Sequence, residues 1–319
     1  MYFLIILLII CLLNPQVSIE AAKQAITLWF TSVLPVLFPF FIISKILYNS
    51  GGTTVFAKLL RPFMKFLDLP EDAAFPLSMS LLCGYPTGSR IVGDMQKNGL
   101  KNYEYYANIC YSSGPLFIIG SVGTLMLEST RKGYALMLIH VCTLIIFTVL
   151  TRPKHLNFQT TEYQPPNGSF GGAIAESITA ILQICGFMVF FSVISGILFQ
   201  YVLKNQPLLI NGLISGFLEF TSGIKIISMQ PILTMPIISF YLSFGGCCVI
   251  AQCLAQLNGI NKKKFIANRL FCGAIAFLLC CIYEKTALFV PLLITTCIAA
   301  GSFAGKRIKG RYLLKSSKS

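Results

Sequence analysis

Apolar runs separated by short polar breaks dominate the chain, and their lengths predict helices rather than strands. Residues 1–13 are apolar and uncharged. They are short for a crossing, and with no basic leader or small-residue cleavage site they predict a retained first helix. Residues 20–30 read as amphipathic, and 33–48 as the next deep segment, with Pro35 and Pro39 near its start. Residues 53–69 carry Lys58, Arg61 and Lys65 on an amphipathic background, the pattern of a helix lying at an interface. A first broken element over 73–98 is followed by a helix over 102–112, a Ser112-Ser113-Gly114-Pro115 break, an apolar run over 116–127 and a full span over 134–150. A polar stretch over 152–172, rich in proline and glycine, predicts a hinge. Beyond it the pattern gives one long helix or two over 174–203, and a segment over 208–229 containing Glu219 and Lys225. A second broken element over 231–258 and a closing hairpin over 265–282 and 287–303 complete it.

The two broken elements are copies. Residues 76–108 lie on 236–268 at one offset of 160 without a gap, matching Pro76 with Pro236, Leu82 with Leu242, Gln96 with Gln256, Asn98-Gly99 with Asn258-Gly259 and Ala107-Asn108 with Ala267-Asn268. Seven identities in 33 positions exceed the roughly two expected by chance. Weaker matches extend the repeat upstream, among them Phe30, Ser32 and Val33 with Phe190, Ser192 and Val193. Paired interrupted apolar segments in corresponding halves point to the midplane site of a transporter.

Composition agrees with a membrane location. Hydrophobic residues are 55% and charged residues 11%, where soluble domains carry about 25% charge, and mean hydropathy is +0.75. The expected fold class is therefore all-α and polytopic, about 9–11 spans or part-spans at roughly 20 residues each, arranged as an inverted repeat with two broken helices. The expected division is a first membrane repeat over 1–150, a hinge over 151–172, a second repeat over 173–305 and a basic tail over 306–319. The net charge of +14 does not imply nucleic acid, because no folded basic face with base-reading groups is visible. Lys306, Arg307, Lys309, Arg311, Lys315 and Lys318 crowd the tail without an acid, a positive-inside signature that predicts a cytosolic C-terminus. The loop charges Lys262, Lys263, Lys264 and Arg269 then fall on the same side. The matching loop of the first half offsets Lys97 and Lys101 with Asp94 and Glu104, the asymmetry an inverted repeat predicts.

The elbows carry the candidate chemistry. In Gly84-Tyr85-Pro86-Thr87-Gly88 the proline lacks an amide proton and the glycines free the backbone, so one helix stops and another starts at Thr87 to Ser89. Its N-terminus presents unpaired N–H groups and a positive dipole end, a feature that binds anions. Arg90 lies on the first turn, and Asp94 follows at i+4 to pair with it or share ligand contacts. In the second copy Ser243, Gly245 and Gly246 supply the break. Gly84 and Gly88 also form a GxxxG packing motif, and Arg90 with Asp94 also reads as a buried structural pair. Asn108, Ser112 and Ser113, with Asn268, either line the site or make ordinary interhelical bonds. Lys45, Glu176 and Glu219 read as snorkelling groups near helix ends. The twelve cysteines lack a C-x-x-C pair and read as buried, reduced apolar residues. His140 and His155 receive no role. No catalytic residue, metal or cofactor is expected.

The stretches CGYPTGSRIVGDMQKNGL (83–100), NICYSSGPLFIIGSVG (108–123) and SFGGCCVIAQ (243–252) resemble the YlbJ (SpoVV) family of sporulation integral membrane proteins, in the nucleoside-recognition (Gate) group. This chain has Ser89-Arg90 where the family pattern has a small residue and lysine, which keeps the basic charge, and Cys247-Cys248 where it has less sulfur. The resemblance implies an endospore-forming bacterium, a location in the cell membrane or outer forespore membrane, and movement of dipicolinic acid. The Gate group alone implies nucleosides or another small solute instead. A third expectation is a non-transporting assembly protein of the spore envelope. Expected partners are a small anionic substrate, dipicolinate first, the lipid bilayer, and either a second copy of the chain or other sporulation membrane proteins.

Overall fold

The computed structural model describes residues 2–153 and 168–286, and these are helical with no strand among the described residues. In chain order the helices are α1 (Tyr2–Leu13), α2 (Pro15–Leu28), α3 (Leu34–Asn49), α4 (Gly52–Leu59), α5 (Arg61–Phe66), α6 (Ala74–Cys83), α7 (Thr87–Lys97) and α8 (Tyr103–Ile109), then α9 (Thr130–Leu150), α10 (Phe170–Leu198), α11 (Leu208–Leu218), α12 (Phe220–Ile227), α13 (Thr234–Phe244), α14 (Gly246–Ala255) and α15 (Lys262–Thr286). π-helical segments run over Trp29–Val33, Leu116–Met126 and Phe199–Leu203. The second arm of the expected closing hairpin (287–303), the basic tail (306–319) and hinge residues 154–167 lie outside the described residues.

Among the described residues, four helices are long and apolar enough to cross a bilayer: Thr130–Leu150, Phe170–Leu203, Thr234–Ala255 and Lys262–Lys285. The bent pair Ile5–Leu13 and Pro15–Thr31 makes a fifth when taken as one span. A bilayer interior offers no water to backbone groups, so a chain this apolar closes its hydrogen bonds within helices. The pair bends by 99° because Asn14 has non-helical dihedrals and Pro15 donates no N–H to the turn before it. The Asn14 amide caps the end of α1, donating from Nδ2 to the Ile10 carbonyl at 2.9 Å.

Element boundaries follow the sequence repeat. Shifted by 160, α6 falls on residues 234–243, against Thr234–Phe244 for α13. Shifted likewise, α7 falls on 247–257, against Gly246–Ala255 for α14, and α5 on 221–226, against Phe220–Ile227 for α12. The copies also touch each other, once at equivalent positions. Asn268 Nδ2 donates to Asn108 Oδ1 at 3.2 Å. Gln96 Nε2 donates to the Asn258 carbonyl at 2.7 Å, and Asn258 N–H donates back to Gln96 Oε1 at 3.1 Å.

The core is built from α6–α9 and α12–α15, whose buried side chains form one cluster. Of its most apolar window, 78% of Thr234–Ala255 is buried against 22% of Phe170–Leu203, so the second broken element runs through the centre while α10 faces outward. Lipid is as apolar as leucine, so close approach through small residues replaces hydrophobic drive in such a core. A Cβ on Gly123 would stand 2.4 Å from the Gly133 Cα, and one on Gly223 would stand 2.2 Å from the Gly216 Cα. At the periphery α4 and α5 expose Lys58, Arg61 and Lys65 and bury Met64, the layout expected of interface helices.

Three expectations are corrected. The helix over 102–112 ends at Ile109, because Cys110 leaves helical dihedrals (φ −91°, ψ 43°). The segment 208–229 splits at Glu219, which turns extended (φ −137°, ψ 107°) between α11 and α12. Arg269 is not a loop charge: it lies on the second turn of α15 with no exposed surface.

Candidate functional site

The first elbow is a chain reversal packed against another non-helical segment. Gly84 sits at φ +82°, ψ 177°, where a Cβ would stand 2.7 Å from the Gly114 nitrogen, so only glycine serves both conformation and contact. Tyr85 N–H donates to the Ser112 carbonyl at 2.6 Å, and the Tyr85–Pro86 peptide is cis. A Cβ on Gly88 would lie 2.1 Å from the Cys110 carbonyl oxygen and 2.7 Å from the Ser80 Cβ. The start of α7 thus rests on backbone, and Gly88 is a packing glycine while Gly84 belongs to the elbow. Thr87 and Ser89 are buried beside it.

The second elbow is closed by the first half. Gly245 (φ +84°) and Gly246 (φ +69°) turn the chain, and the Tyr111 hydroxyl donates to the Phe244 carbonyl at 2.8 Å. His140 ties the two elbows together. Its Nε2 accepts from Ser113 N–H at 3.2 Å and lies 3.1 Å from Ser112 Oγ, while Nδ1 lies 2.9 Å from Ser243 Oγ. A backbone N–H can only donate, so Nε2 is the acceptor and Nδ1 carries the proton toward Ser243. Ser113 Oγ lies 2.6 Å from the Tyr85 hydroxyl and donates to the Leu242 carbonyl at 2.9 Å.

Beside this brace lies a cavity of about 540 Å³. Its floor is Gly84, Tyr85, Ser113 and Gly114; Glu219, Phe220, Thr221 and Gln252 face them from the second half, and α3 and α10 add apolar wall. The Phe220 ring stands 5.5 Å from Tyr85 and 5.2 Å from Phe117, centre to centre. Glu219 caps α12: its Oε1 accepts from Thr221 N–H at 3.0 Å, and its Oε2 accepts from Ser222 N–H and Ser222 Oγ, both at 2.8 Å. A helix N-terminus favours such a carboxylate, whose oxygens satisfy otherwise orphaned N–H groups. No lysine or arginine lines the cavity among the described residues.

Of the expected site residues, Gly84, Tyr85 and Ser113 line the cavity. Pro86 shapes the turn behind it, and Ser112 and Ser243 serve His140. Gly245 and Gly246 are filled against the Tyr111 hydroxyl and the Gly216 carbonyl. Asn108 accepts from Asn268 and Arg269. Arg90 and Asp94 form no pair with each other. Asp94 Oδ2 accepts from Lys45 Nζ at 2.8 Å and Oδ1 from Lys97 at 3.3 Å, while Arg90 stacks over Phe41 at 5.2 Å with Nη2 4.0 Å from Glu176. Lys45 and Glu219 are not snorkelling groups either. Lys45, its side chain 10% exposed, is held between two carboxylates, and Glu219 caps a helix break.

Arg269 was missed as a structural element. Its Nη2 donates to the Asn108 carbonyl at 2.8 Å, and its guanidinium stacks on Tyr111 at 4.6 Å and Phe147 at 4.7 Å. The signal was present, because the apolar run begins at Phe265 and already places residue 269 inside a helix. His140, central in a span, carried the same signal.

Comparison with known proteins agrees with the resemblance read from the sequence. Residues 30–152 match the Gate family model, described as nucleoside recognition. Over 314 residues the chain is 28% identical to the sporulation integral membrane protein YlbJ of Bacillus subtilis (strain 168), which covers 82% of this chain and 76% of that protein. No solved structure matches. The chain is a multi-pass membrane protein similar to one of sporulation.

Proposed function

We propose that the chain is a solute carrier of sporulation that moves a small planar aromatic acid, dipicolinic acid, across the outer forespore membrane. The supporting observation is the 540 Å³ cavity where both broken elements meet. Rings of Tyr85, Phe117 and Phe220 offer faces and edges to a flat solute, while Ser113, Thr221 and Gln252 offer polar atoms. Breaks in helices at such a cavity leave backbone groups for a ligand and let the two repeats, taken as inverted, rock about it. The C-terminal tail is assigned to the cytosol on its charge. Ser112 and Ser243 flank His140 at serine–histidine spacing, yet among the described residues no carboxylate orients the ring and neither serine lines the cavity, so the arrangement is read as a brace.

A second reading is favoured by one feature. Among the described residues the cavity wall carries the carboxylate of Glu219 and no basic side chain, which suits an uncharged heterocycle such as a nucleoside better than a dianion. Uptake of labelled dipicolinate and labelled nucleosides into proteoliposomes separates the two. Dipicolinate uptake that falls at least tenfold on Tyr85→Ala supports the proposal, and uptake of nucleosides alone replaces it with the second reading. Uptake of neither returns the chain to an assembly role.

A further inference from the structure

About two helical turns from the cavity lies a second constellation. Leu37 on α3 and Ile184 on α10 line the cavity. Eight residues along each helix, about 12 Å, stand Lys45 and Glu176. Lys45 Nζ contacts Glu176 Oε2 at 2.6 Å and Asp94 Oδ2 at 2.8 Å. Arg90, 8% exposed, reaches the same Glu176 oxygen at 4.0 Å, and its Nη1 is buried without a hydrogen-bond partner. Phe41 stacks under Arg90 and packs with Ile184, Met188 and Cys248, which also line the cavity, so one apolar layer separates cluster from cavity.

The two acids of the cluster differ. The Asp94 side chain is 14% exposed and shared between Lys45 and Lys97, whereas that of Glu176 is 54% exposed on the outward-facing helix. A half-exposed carboxylate bridging two nearly buried cations gains little net energy from either. An arriving carboxylate can take its place without leaving a buried charge unpaired. Arg90 retains a donor that Glu176 does not satisfy, and a planar guanidinium suits a carboxylate.

We propose that Lys45 and Arg90 form a docking site for the carboxylate of an aromatic acid outside the cavity, and that Glu176 occupies it in the solute's absence. The inference rests on the carrier reading and gives it what the cavity wall lacks, a cationic first contact. Removing the competitor tightens binding; removing either cation weakens it.

Equilibrium binding of labelled pyridine-2,6-dicarboxylate to the purified full chain in nanodiscs tests this. Glu176→Gln is expected to tighten binding about tenfold, and Lys45→Met and Arg90→Gln each to weaken it about tenfold, with Lys45→Arg restoring affinity. Glu176 is half-exposed, so its variant reads affinity in a folded protein, and thermal midpoints check the other two. Unchanged or weaker affinity in Glu176→Gln overturns the site, as does an absence of binding to both wild type and Glu176→Gln. Dipicolinate uptake that persists while affinity ignores all three substitutions removes the docking site and leaves the carrier. Nucleoside-only uptake alongside tighter carboxylate binding in Glu176→Gln removes the dipicolinate reading and leaves the site.

Discussion

Gly93→Ala tests whether the two copies meet as closely as described. Gly93 lies on α7, and a Cβ there would stand 2.1 Å from the Gln256 carbonyl oxygen at the end of α14. Carbon and oxygen in contact need about 3.2 Å or more, so the two helices must part by about 1 Å, and the obstacle is backbone rather than a side chain that can rotate. Overpacking of this kind costs about 1–3 kcal/mol. The same separation stretches the reciprocal Gln96–Asn258 bonds at 2.7 and 3.1 Å, each worth up to about 1 kcal/mol net. Together these come to about 1–5 kcal/mol.

A chain of this size loses roughly 2 °C of melting midpoint per kcal/mol, so Gly93→Ala is expected to lower the midpoint by about 2–10 °C in a thermal-shift assay of the protein in nanodiscs. Gly186→Ala is the matched control. Gly186 lies inside α10 with nothing within 4 Å of the added carbon, so alanine only improves helix propensity, by about 0.5–1 kcal/mol. Its midpoint should stay level or rise by about 1–2 °C. Equal midpoints for the two variants would refute the close contact between α7 and α14.

Two further substitutions probe the brace and the cap. His140→Ala removes the acceptor of Ser113 N–H and the partner of Ser243, stranding a buried donor at about 1–3 kcal/mol and leaving a void; the thermal midpoint should fall by at least about 4 °C, and a fall below 2 °C would remove His140 from the brace. Glu219→Ala strips α12 of its N-cap for about 0.5–2 kcal/mol, whereas Glu219→Asp keeps an oxygen near Thr221 and Ser222; equal thermal midpoints in these two variants would show that the cap bonds contribute nothing.

The sequence made the helix breaks legible because glycine and proline mark them chemically, and the repeat legible because its copies kept one spacing. Gly84 and Gly245 are cases of the first kind, Gln96 and Gln256 of the second. Pairing of charges was not legible. Arg90 and Asp94 at i, i+4 satisfy a local rule, yet Asp94 lies against Lys45, 49 residues away, and local spacing carries no information about which helix arrives from elsewhere. The split at Glu219 escaped for a related reason: a carboxylate within an apolar run reads as a stray surface group until the Thr221 and Ser222 N–H groups it accepts are seen.

The copies have diverged where the cavity forms. Shifted by 160, the non-helical residues 110–114 of the first copy fall on 270–274, inside the unbroken helix α15. In the first copy Ser112-Ser113-Gly114-Pro115 interrupts the helix, and Ser113, Gly114 and Pro115 line the cavity. The second copy has Cys272-Gly273-Ala274-Ile275 there, which keeps the helix and buries Cys272. The unbroken helix brings Arg269 beside Asn108, two residues before the first copy leaves helical geometry at Cys110, and Nη2 takes up the Asn108 carbonyl that continued α8 would have bonded. A guanidinium at 0% exposure is costly, and that cost is offset by stacking on Tyr111, Phe147 and Phe265. One copy therefore stays regular and supports the other from behind, and the broken copy is free to expose backbone at the cavity.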